Sequence, residues 1–133
     1  MHELAVCQAL IGQVTDVSDG EAVDALAARA FDEFGTVAVV CNNAGVAGIQ
    51  GGPDFIDVPN WEWVIGVNLW GVIHGIHAFV PRLIDQGGDA HIVNTASFAG
   101  LVGVPSMAPY CTACPTTTRE TAMASPPYSN VWK

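Results

Sequence analysis

The stretch VAVVCNNAG, residues 37–45, decides the fold class. Its first five residues are all apolar and mostly β-branched, which is typical of a strand buried on both faces of a parallel sheet. Two asparagines and a glycine follow at once, and these residues favour a turn at the end of a strand. The stretch therefore predicts a buried strand over 37–41 that leads into a polar turn.

Upstream of this strand, the sequence predicts another strand and a helix. Residues 9–17, ALIGQVTDV, predict a short strand that ends in an acidic turn. From Ala22 onward, apolar residues recur at helical spacing, which favours a helix with one buried face. Asp19 can cap the start of this helix, and Gly35 suits its end, where a glycine readily takes a left-handed conformation.

Downstream of the strand, the sequence predicts a long helix and a further strand. Apolar residues at helical spacing run from about 60 to 84, and the pair Gly87-Gly88 breaks the pattern. Residues 91–97, HIVNTAS, then predict another buried strand. Because strands and helices alternate along the chain, we expect an α/β fold with a parallel sheet.

The sequence pattern changes after Tyr110. Residues 1–113 are predicted to form one incomplete domain, whereas residues 114–133 have no helical or strand period and are rich in Thr, Ser and Pro. We expect an irregular tail there. Because the pattern is lost within one residue of Cys114, a frameshift in the coding DNA is a hypothesis for the origin of the tail.

The composition argues against several classes of partner. The chain has 133 residues, and 50% of them are hydrophobic, which suffices for one small domain. Its net charge is -9, with only four lysines and arginines, so we expect no binding to nucleic acid or to an anionic membrane surface. Four scattered cysteines and an N-terminus without a basic leader lead us to expect a cytoplasmic location.

The apolar segment 61–84 raises the question of a membrane span. It contains polar and charged residues, among them Glu62, Asn68 and Arg82, and these are costly inside a bilayer. A helix that is buried in the protein or packed at an interface is therefore favoured over a membrane span. Three tryptophans and several glycines in this segment favour close packing over a ligand cage.

Two residue pairs could in principle serve metal or redox chemistry. Cys111 and Cys114 form a CxxC pair, but one such pair supplies only half of a tetrahedral zinc site. His74 and His77 lie three residues apart on the predicted helix, where an ordinary helix face is the more common explanation. We therefore predict no metal site.

Five signals follow one another along the chain at particular spacings. Tyr110 comes thirteen residues after Ser97, which ends the stretch IVNTAS, and Asn68 lies on the long predicted helix. The other two are Thr15-Asp16-Val17 and Asn42-Asn43-Ala44-Gly45. Together they resemble the short-chain dehydrogenase/reductase family over about residues 9–113. The resemblance implies a partial Rossmann-like parallel sheet made of family strands 3, 4 and 5, an NAD or NADP cofactor, and a small alcohol or carbonyl substrate.

The resemblance also implies a role for each matching residue. Tyr110 would be the acid or base, Ser97 would hydrogen-bond the substrate oxygen, and Asn68 would hold a water that connects the site to a lysine. Cofactor contacts would come from Asp16 and Val17 at the adenine, and from Asn43, Ala44 and Gly45 at the turn.

The chain departs from the family pattern at Cys114, where the YxxxK motif requires lysine. A phenol has a pKa of roughly 10, too high for a base at neutral pH. A lysine about 4 Å away would stabilise the phenolate by roughly 4 kcal/mol at an effective dielectric near 20, enough to bring the phenol close to its working range. We expect the chain to lose this effect, and we expect Pro115 to interrupt the helix as well.

A second departure concerns the phosphates of the cofactor. The glycine-rich TGxxxGxG loop of the family does not precede Asp16, so we expect the first βα unit to be missing. In the strand order 3-2-1-4-5-6, two missing strands would separate strand 3 from strand 4, which leaves exposed edges or requires another chain. We expect a truncated, weakly active or inactive oxidoreductase. The alternative is a non-catalytic fragment that associates with a full-length relative, and a homo-oligomer could form through the helix over 61–84.

Overall fold

The computed structural model describes residues 9–114 of the chain. Within that range two strands, β1 and β2, pair in parallel and lie among four α-helices and two short helical turns. The elements are α1 (Gly20–Phe34), β1 (Val39–Asn42), α2 (Val58–Ile65), a π-helical turn (Gly66–Trp70), α3 (Gly71–Gln86), β2 (His91–Asn94), a 3₁₀ turn (Phe98–Gly100) and α4 (Ala108–Ala113). The predicted α/β fold with a small parallel sheet is thus confirmed.

Helix α1 begins and ends where the sequence predicts. The carboxylate of Asp19 accepts a hydrogen bond of 2.9 Å from the backbone N–H of Glu21, which satisfies one of the unpaired donors in the first turn. Gly35 follows the last turn with φ of 74°, a conformation that a residue with a β-carbon rarely adopts. Its N–H binds the carbonyl of Phe31 and so closes the helix.

The predicted strand over residues 9–17 is wrong. None of these residues belongs to a strand, and the side chains of Leu10 and Val14 are almost fully exposed. A strand needs a neighbour to bond with, and within residues 9–114 the only sheet is the β1–β2 pair. The segment instead passes α1, where Arg29 donates to the carbonyl of Gly12.

The sheet is covered on one face and open on the other. Val40 and Ile92 project into the core, where they meet apolar side chains of α1 and α3. This cluster contains Val23, Ala27, Val40, Ala78, Phe79, Leu83, Ala90 and Ile92. Val39 and Val93 project from the opposite face and stay partly exposed. The two strands are therefore covered by helices on one side only within the described range.

The long predicted helix forms, and it contains a π-helical turn that the sequence did not predict. Helical structure runs without a break from Val58 to Gln86, and Asp57 caps its start by accepting from the N–H of Asn60. By length and composition alone this helix could cross a membrane, but 44% of its most apolar window is buried in the protein. Core helices pass the same test, so the apolar composition is weak support for a span.

Candidate active site

The carboxyl ends of β1 and β2 are joined by asparagine side chains. Asn42 donates from Nδ2 to Oδ1 of Asn94 over 2.8 Å, and the Thr95 hydroxyl donates to Oδ1 of Asn43 over 2.7 Å. Gly75 of α3 lies against the Asn42 amide so closely that a β-carbon there would overlap it. The sequence NN at the end of β1 thus fixes one edge of the site to its neighbouring strand and helix.

Asn68 fixes the turn that follows β1. Its Oδ1 accepts from the N–H of Val46 over 2.8 Å, and its Nδ2 donates to the Val46 carbonyl over 2.9 Å. The residue lies buried in the π-helical turn, in which Gly71 donates to the carbonyl of Gly66 five residues earlier. Such turns occur frequently at functional sites. Both polar atoms of the Asn68 side chain already bind this turn, and its predicted contact with a catalytic water stays a prediction.

Ser97 and Tyr110 line one open cleft of about 630 Å³ beside this turn. Ser97 precedes the 3₁₀ turn, and its hydroxyl accepts from the N–H of Ala99 over 3.2 Å. Tyr110 lies on α4 and is half-buried. Asn43 and Gly45 line the same cleft from the other side, so the structure brings together four of the eight predicted site residues.

The remaining predicted cofactor residues lie outside this cleft. Asp16 accepts from the N–H of Ser18 over 2.9 Å and from its hydroxyl over 2.7 Å, and these bonds lower the pKa of the exposed Asp16 carboxyl. Val17 packs against Gly71, and its carbonyl oxygen lies 3.0 Å from Nδ1 of His74. Ala44 lines a separate groove beside β1, which Asn43 also borders.

Cys114 ends α4 one turn after Tyr110. Its N–H donates to the Tyr110 carbonyl, and the residue is only 8% exposed. It does not line the cleft with Ser97 and Tyr110. The predicted helix break at Pro115 and the predicted irregular tail over 115–133 lie outside the described residues.

The sequence offered a Cys pair and a His pair as possible metal ligands. In the structure, one member of each pair makes a hydrogen bond within the protein. Cys111 accepts from the N–H of Val104 over 3.4 Å, and His74 meets the Val17 carbonyl. Within residues 9–114, no group of three or more His, Cys, Asp or Glu side chains could hold a metal ion.

Six apolar residues complete the cleft, and the sequence patterns did not indicate the three largest of the loop before α4. Phe98, Val104 and Met107 come from the loop between β2 and α4. This loop has no helical or strand period, so only its position between Ser97 and Tyr110 could have drawn attention to it. The lining contains no Lys, Arg, Asp, Glu or His among the described residues, which makes the cleft a neutral, largely apolar surface.

Comparison with known proteins finds a family model and relatives that are all oxidoreductases or dehydrogenases. A family model described as short chain dehydrogenase matches residues 2–122. The chain is 45% identical over 101 residues to "Probable oxidoreductase EphD" of Mycobacterium tuberculosis, covering 74% of this chain and 17% of that protein. It is 42% identical over 102 residues to 1-deoxy-11-beta-hydroxypentalenate dehydrogenase of Streptomyces exfoliatus, covering 75% of this chain and 37% of that protein.

A solved structure supports the same relationship. The crystal structure of a short chain dehydrogenase/reductase from Burkholderia phymatum, in complex with NAD, is 48% identical and superposes with a TM-score of 0.75. The match covers 77% of this chain and 36% of that one. The chain thus spans less than two fifths of the length of each of these relatives. With the family model matching most of its length, the chain belongs to the short-chain dehydrogenase family.

Proposed function

We propose that this chain carries the serine–tyrosine part of an NAD- or NADP-dependent oxidoreductase that acts on an alcohol or a carbonyl compound. The observation that carries the proposal is the common cleft of Ser97, Tyr110, Asn43 and Gly45. A hydroxyl pair at one wall and a polar turn at the other are what transfer of a proton beside a bound nicotinamide requires. The hydroxylated substrate named for the Streptomyces relative is of the same chemical class.

Each side chain of the cleft has its own role in the proposed reaction. The Tyr110 hydroxyl donates a proton to the substrate oxygen during reduction and accepts it during oxidation. The Ser97 hydroxyl, which can donate one hydrogen bond, orients that oxygen. Asn43 and Gly45 would hold the nicotinamide end of the cofactor, and the apolar part of the cleft would lie against the flat nicotinamide ring. When bound, the cofactor supplies or accepts the hydride.

We further propose that turnover by this chain is weak or absent because Cys114 stands where the family has lysine. A cysteine side chain offers no positive charge to stabilise a phenolate, and Cys114 is buried and does not line the cleft. Proton transfer by a positioned group contributes typically 10²- to 10⁴-fold to a rate, so its loss leaves little activity.

Cofactor binding by the purified full chain tests the proposal. Titration with NADH and with NADPH, followed by nicotinamide fluorescence, should give only weak binding, because no glycine-rich phosphate loop precedes Asp16 in the sequence. Tyr110→Phe should leave this binding largely intact, and Gly45→Trp should abolish it. A tryptophan at position 45 would fill the cleft. Equal signals from the parent chain and from Gly45→Trp would contradict a cofactor site at this turn, whatever the turnover.

A second candidate function is association without catalysis. Trp63 of α2 and Trp70 at the end of the π-helical turn are 52% and 50% exposed. Large exposed aromatic residues are typical of a contact surface. We propose that the surface around these two residues contacts a second copy or a full-length relative.

Light scattering after gel filtration tests this candidate. The parent chain should run as an oligomer, or should co-purify with a full-length relative, and Trp63→Glu/Trp70→Glu should abolish both. Ile84→Glu, an exposed apolar residue at the far end of the same helix, is the matched control. An oligomer that survives the double substitution would contradict this surface.

A further inference from the structure

Cys111 contacts both ends of one turn in the loop before α4. Its thiol accepts from the N–H of Val104 over 3.4 Å and donates to the Val104 carbonyl, with 3.8 Å between sulfur and oxygen. Its backbone N–H donates to the Met107 carbonyl over 2.9 Å. Val104 and Met107 line the cleft together with Tyr110, whereas the half-buried Cys111 does not. Cys111 therefore contacts the cleft wall without lining the cleft itself.

The turn from Val104 to Met107 has an unfavourable backbone conformation. The Met107 N–H donates to the Val104 carbonyl over 3.3 Å and closes a four-residue turn with Pro105 and Ser106 at its centre. Ser106 has φ of 67°, and turns with proline second and a positive φ third usually have glycine in the third place. A residue with a β-carbon keeps such a conformation only where its surroundings enforce it. The turn therefore depends on contacts with neighbouring segments.

Two neighbouring segments hold this turn. The N–H of Gly51, in the segment between β1 and α2, donates to the Ser106 carbonyl over 3.1 Å. A backbone donor of this kind does not depend on the identity of its side chain. The contact from Cys111 does depend on the side chain, because a thiol can both donate and accept and so bonds both backbone groups of Val104. Cys111 is thus the side chain on which the place of the turn depends.

We propose that Cys111 is a positioning residue of the cleft, whose thiol holds Val104 and so keeps the strained turn 104–107 in the cleft wall. Because Tyr110 precedes Cys111 directly on α4, the same contact also fixes the place of Tyr110 relative to this wall. The inference rests on the proposed function, since Ser97 and Tyr110 would meet the substrate in this cleft. Cys111 itself would touch neither substrate nor cofactor and acts through Val104.

Amide hydrogen exchange, followed by NMR on the full chain, tests whether the thiol holds the turn. Cys111→Ala removes both bonds to Val104, whereas Cys111→Ser keeps a donor and an acceptor, and the two variants differ by a single hydroxyl. The Met107 amide reports the closed turn, and its exchange should be roughly tenfold faster in Cys111→Ala and close to the parent rate in Cys111→Ser. Thr112→Ala, which removes a hydroxyl bonded within α4, is the matched control and should leave this rate unchanged. Equal rates at Met107 in the parent and in Cys111→Ala would overturn the proposal.

Titration with NADH tests whether the place of the turn matters to a ligand. Cys111→Ala should weaken the binding by the parent about fivefold, because the apolar part of the cleft would lie against the nicotinamide ring. Cys111→Ser should restore the binding, and this rescue distinguishes positioning from a loss of packing, since alanine and serine have similar volumes. Binding by the parent that Cys111→Ala leaves unchanged would overturn this inference alone. No binding by the parent chain would overturn the proposed function, and this inference with it.

Ser106→Gly tests the strain in the turn even if Cys111→Ala does not fold. Glycine adopts a φ of 67° readily, so the turn should form without the support that serine needs. With the thiol intact, exchange at Met107 should be about fivefold slower in Ser106→Gly than in the parent. Ser106→Ala keeps the β-carbon and is the matched control, in which we expect no such slowing. Equal exchange in these two variants would show that the turn holds no strain for Cys111 to oppose, and would overturn the proposal.

Discussion

The turn after β1 borders the cleft of Ser97 and Tyr110, whereas Cys114 at the end of α4 lies outside it, and the side chains of the two regions are held in different ways. Asn42, Asn43 and Asn68 each use their side-chain amides in hydrogen bonds between elements. At the other region, Cys114 stands where the resemblance implies a lysine, and its side chain is buried. The difference teaches that hydrogen bonds between elements fix the amides near the turn, whereas the proposed loss of activity depends on a single residue at the end of α4. Among the described residues, every buried side-chain nitrogen and oxygen has a hydrogen-bond partner.

The substitution with the largest expected effect places a lysine at position 114. Cys114→Lys should raise NAD(P)-dependent turnover of a secondary alcohol by about 10²-fold, because a lysine one turn from Tyr110 would stabilise its phenolate. Steady-state formation of NADH or NADPH measures the effect. Thr112→Lys places the same charge on an exposed position of α4 and should change nothing. If both variants behave alike, position 114 is not what limits the activity.

In the region around the turn after β1, the stability of the fold should be most sensitive to substitution where α3 approaches β1 closely. Gly75→Ala places a methyl group against the Asn42 amide and should reduce the free energy of unfolding by about 3 kcal/mol, the upper range for overpacking. Urea denaturation followed by circular dichroism measures it. The control is Gly12→Ala, since a β-carbon at Gly12 would meet no atom within 4 Å. A loss that is equal for both variants would mean that helix and strand can move apart freely.

Removal of the Asn68 amide should reduce the free energy of unfolding by a smaller amount. Asn68→Ala leaves the N–H and C=O of Val46 without their side-chain partner, which lowers the free energy of unfolding by about 2 kcal/mol. Asn68→Asp keeps the acceptor for the Val46 N–H but turns a second carboxylate oxygen toward the Val46 carbonyl, so it should lose at least as much stability as Asn68→Ala. Thermal denaturation of the three proteins checks the order, and an Asn68→Asp variant as stable as the parent would contradict the bond from Nδ2 to the Val46 carbonyl.

The smallest effect is expected at the surface, where Arg82 binds Asp24 over 2.7 Å and joins α3 to α1. The hydrogen bond from the Arg82 guanidinium lowers the pKa of the exposed Asp24 carboxyl from its ordinary value of 3.8. A lowered pKa in the folded state stabilises the fold above about pH 4, and this contribution disappears as the pH falls through the lowered pKa. Asp24→Asn should therefore show a slight loss of stability at pH 7 and none at strongly acidic pH.

Urea midpoints measured across that pH range test the sign of the effect. Asp32→Asn removes an exposed carboxylate from the same helix and is the matched control. A difference between the parent and Asp24→Asn that grows on acidification would contradict the ion pair as its source.

Local signals in the sequence were sufficient to predict those features of the fold that depend only on residues nearby in the chain. Asp19 and Gly35 mark the ends of α1 because caps act within one turn. The strand over 9–17 could not be decided in this way, because a strand forms only if another strand lies beside it. The π-helical turn could not be predicted either, because its Asn68 binds Val46, a contact between residues distant in the chain.

The candidate site was predictable to a similar degree. Resemblance placed Ser97, Tyr110, Asn43 and Gly45 at one site, and the structure lines a single cleft with them. The apolar residues from the loop after β2 were not predictable, because an irregular segment has no period that indicates which side chains face inward. Asp16 and Val17 lie elsewhere, and their role at the adenine remains a prediction.

The π-helical turn lets one extra residue fit into a helix whose two halves keep their rotational phase. An α-helix advances about 100° per residue, and a π-turn accommodates one residue more than the regular spiral would. Deletion of a single residue from 66–70 would therefore restore the regular spiral while Gly75 of α3 stays against Asn42. The extra residue matters for the place of the buried Asn68 in this turn, and not for the direction of α3.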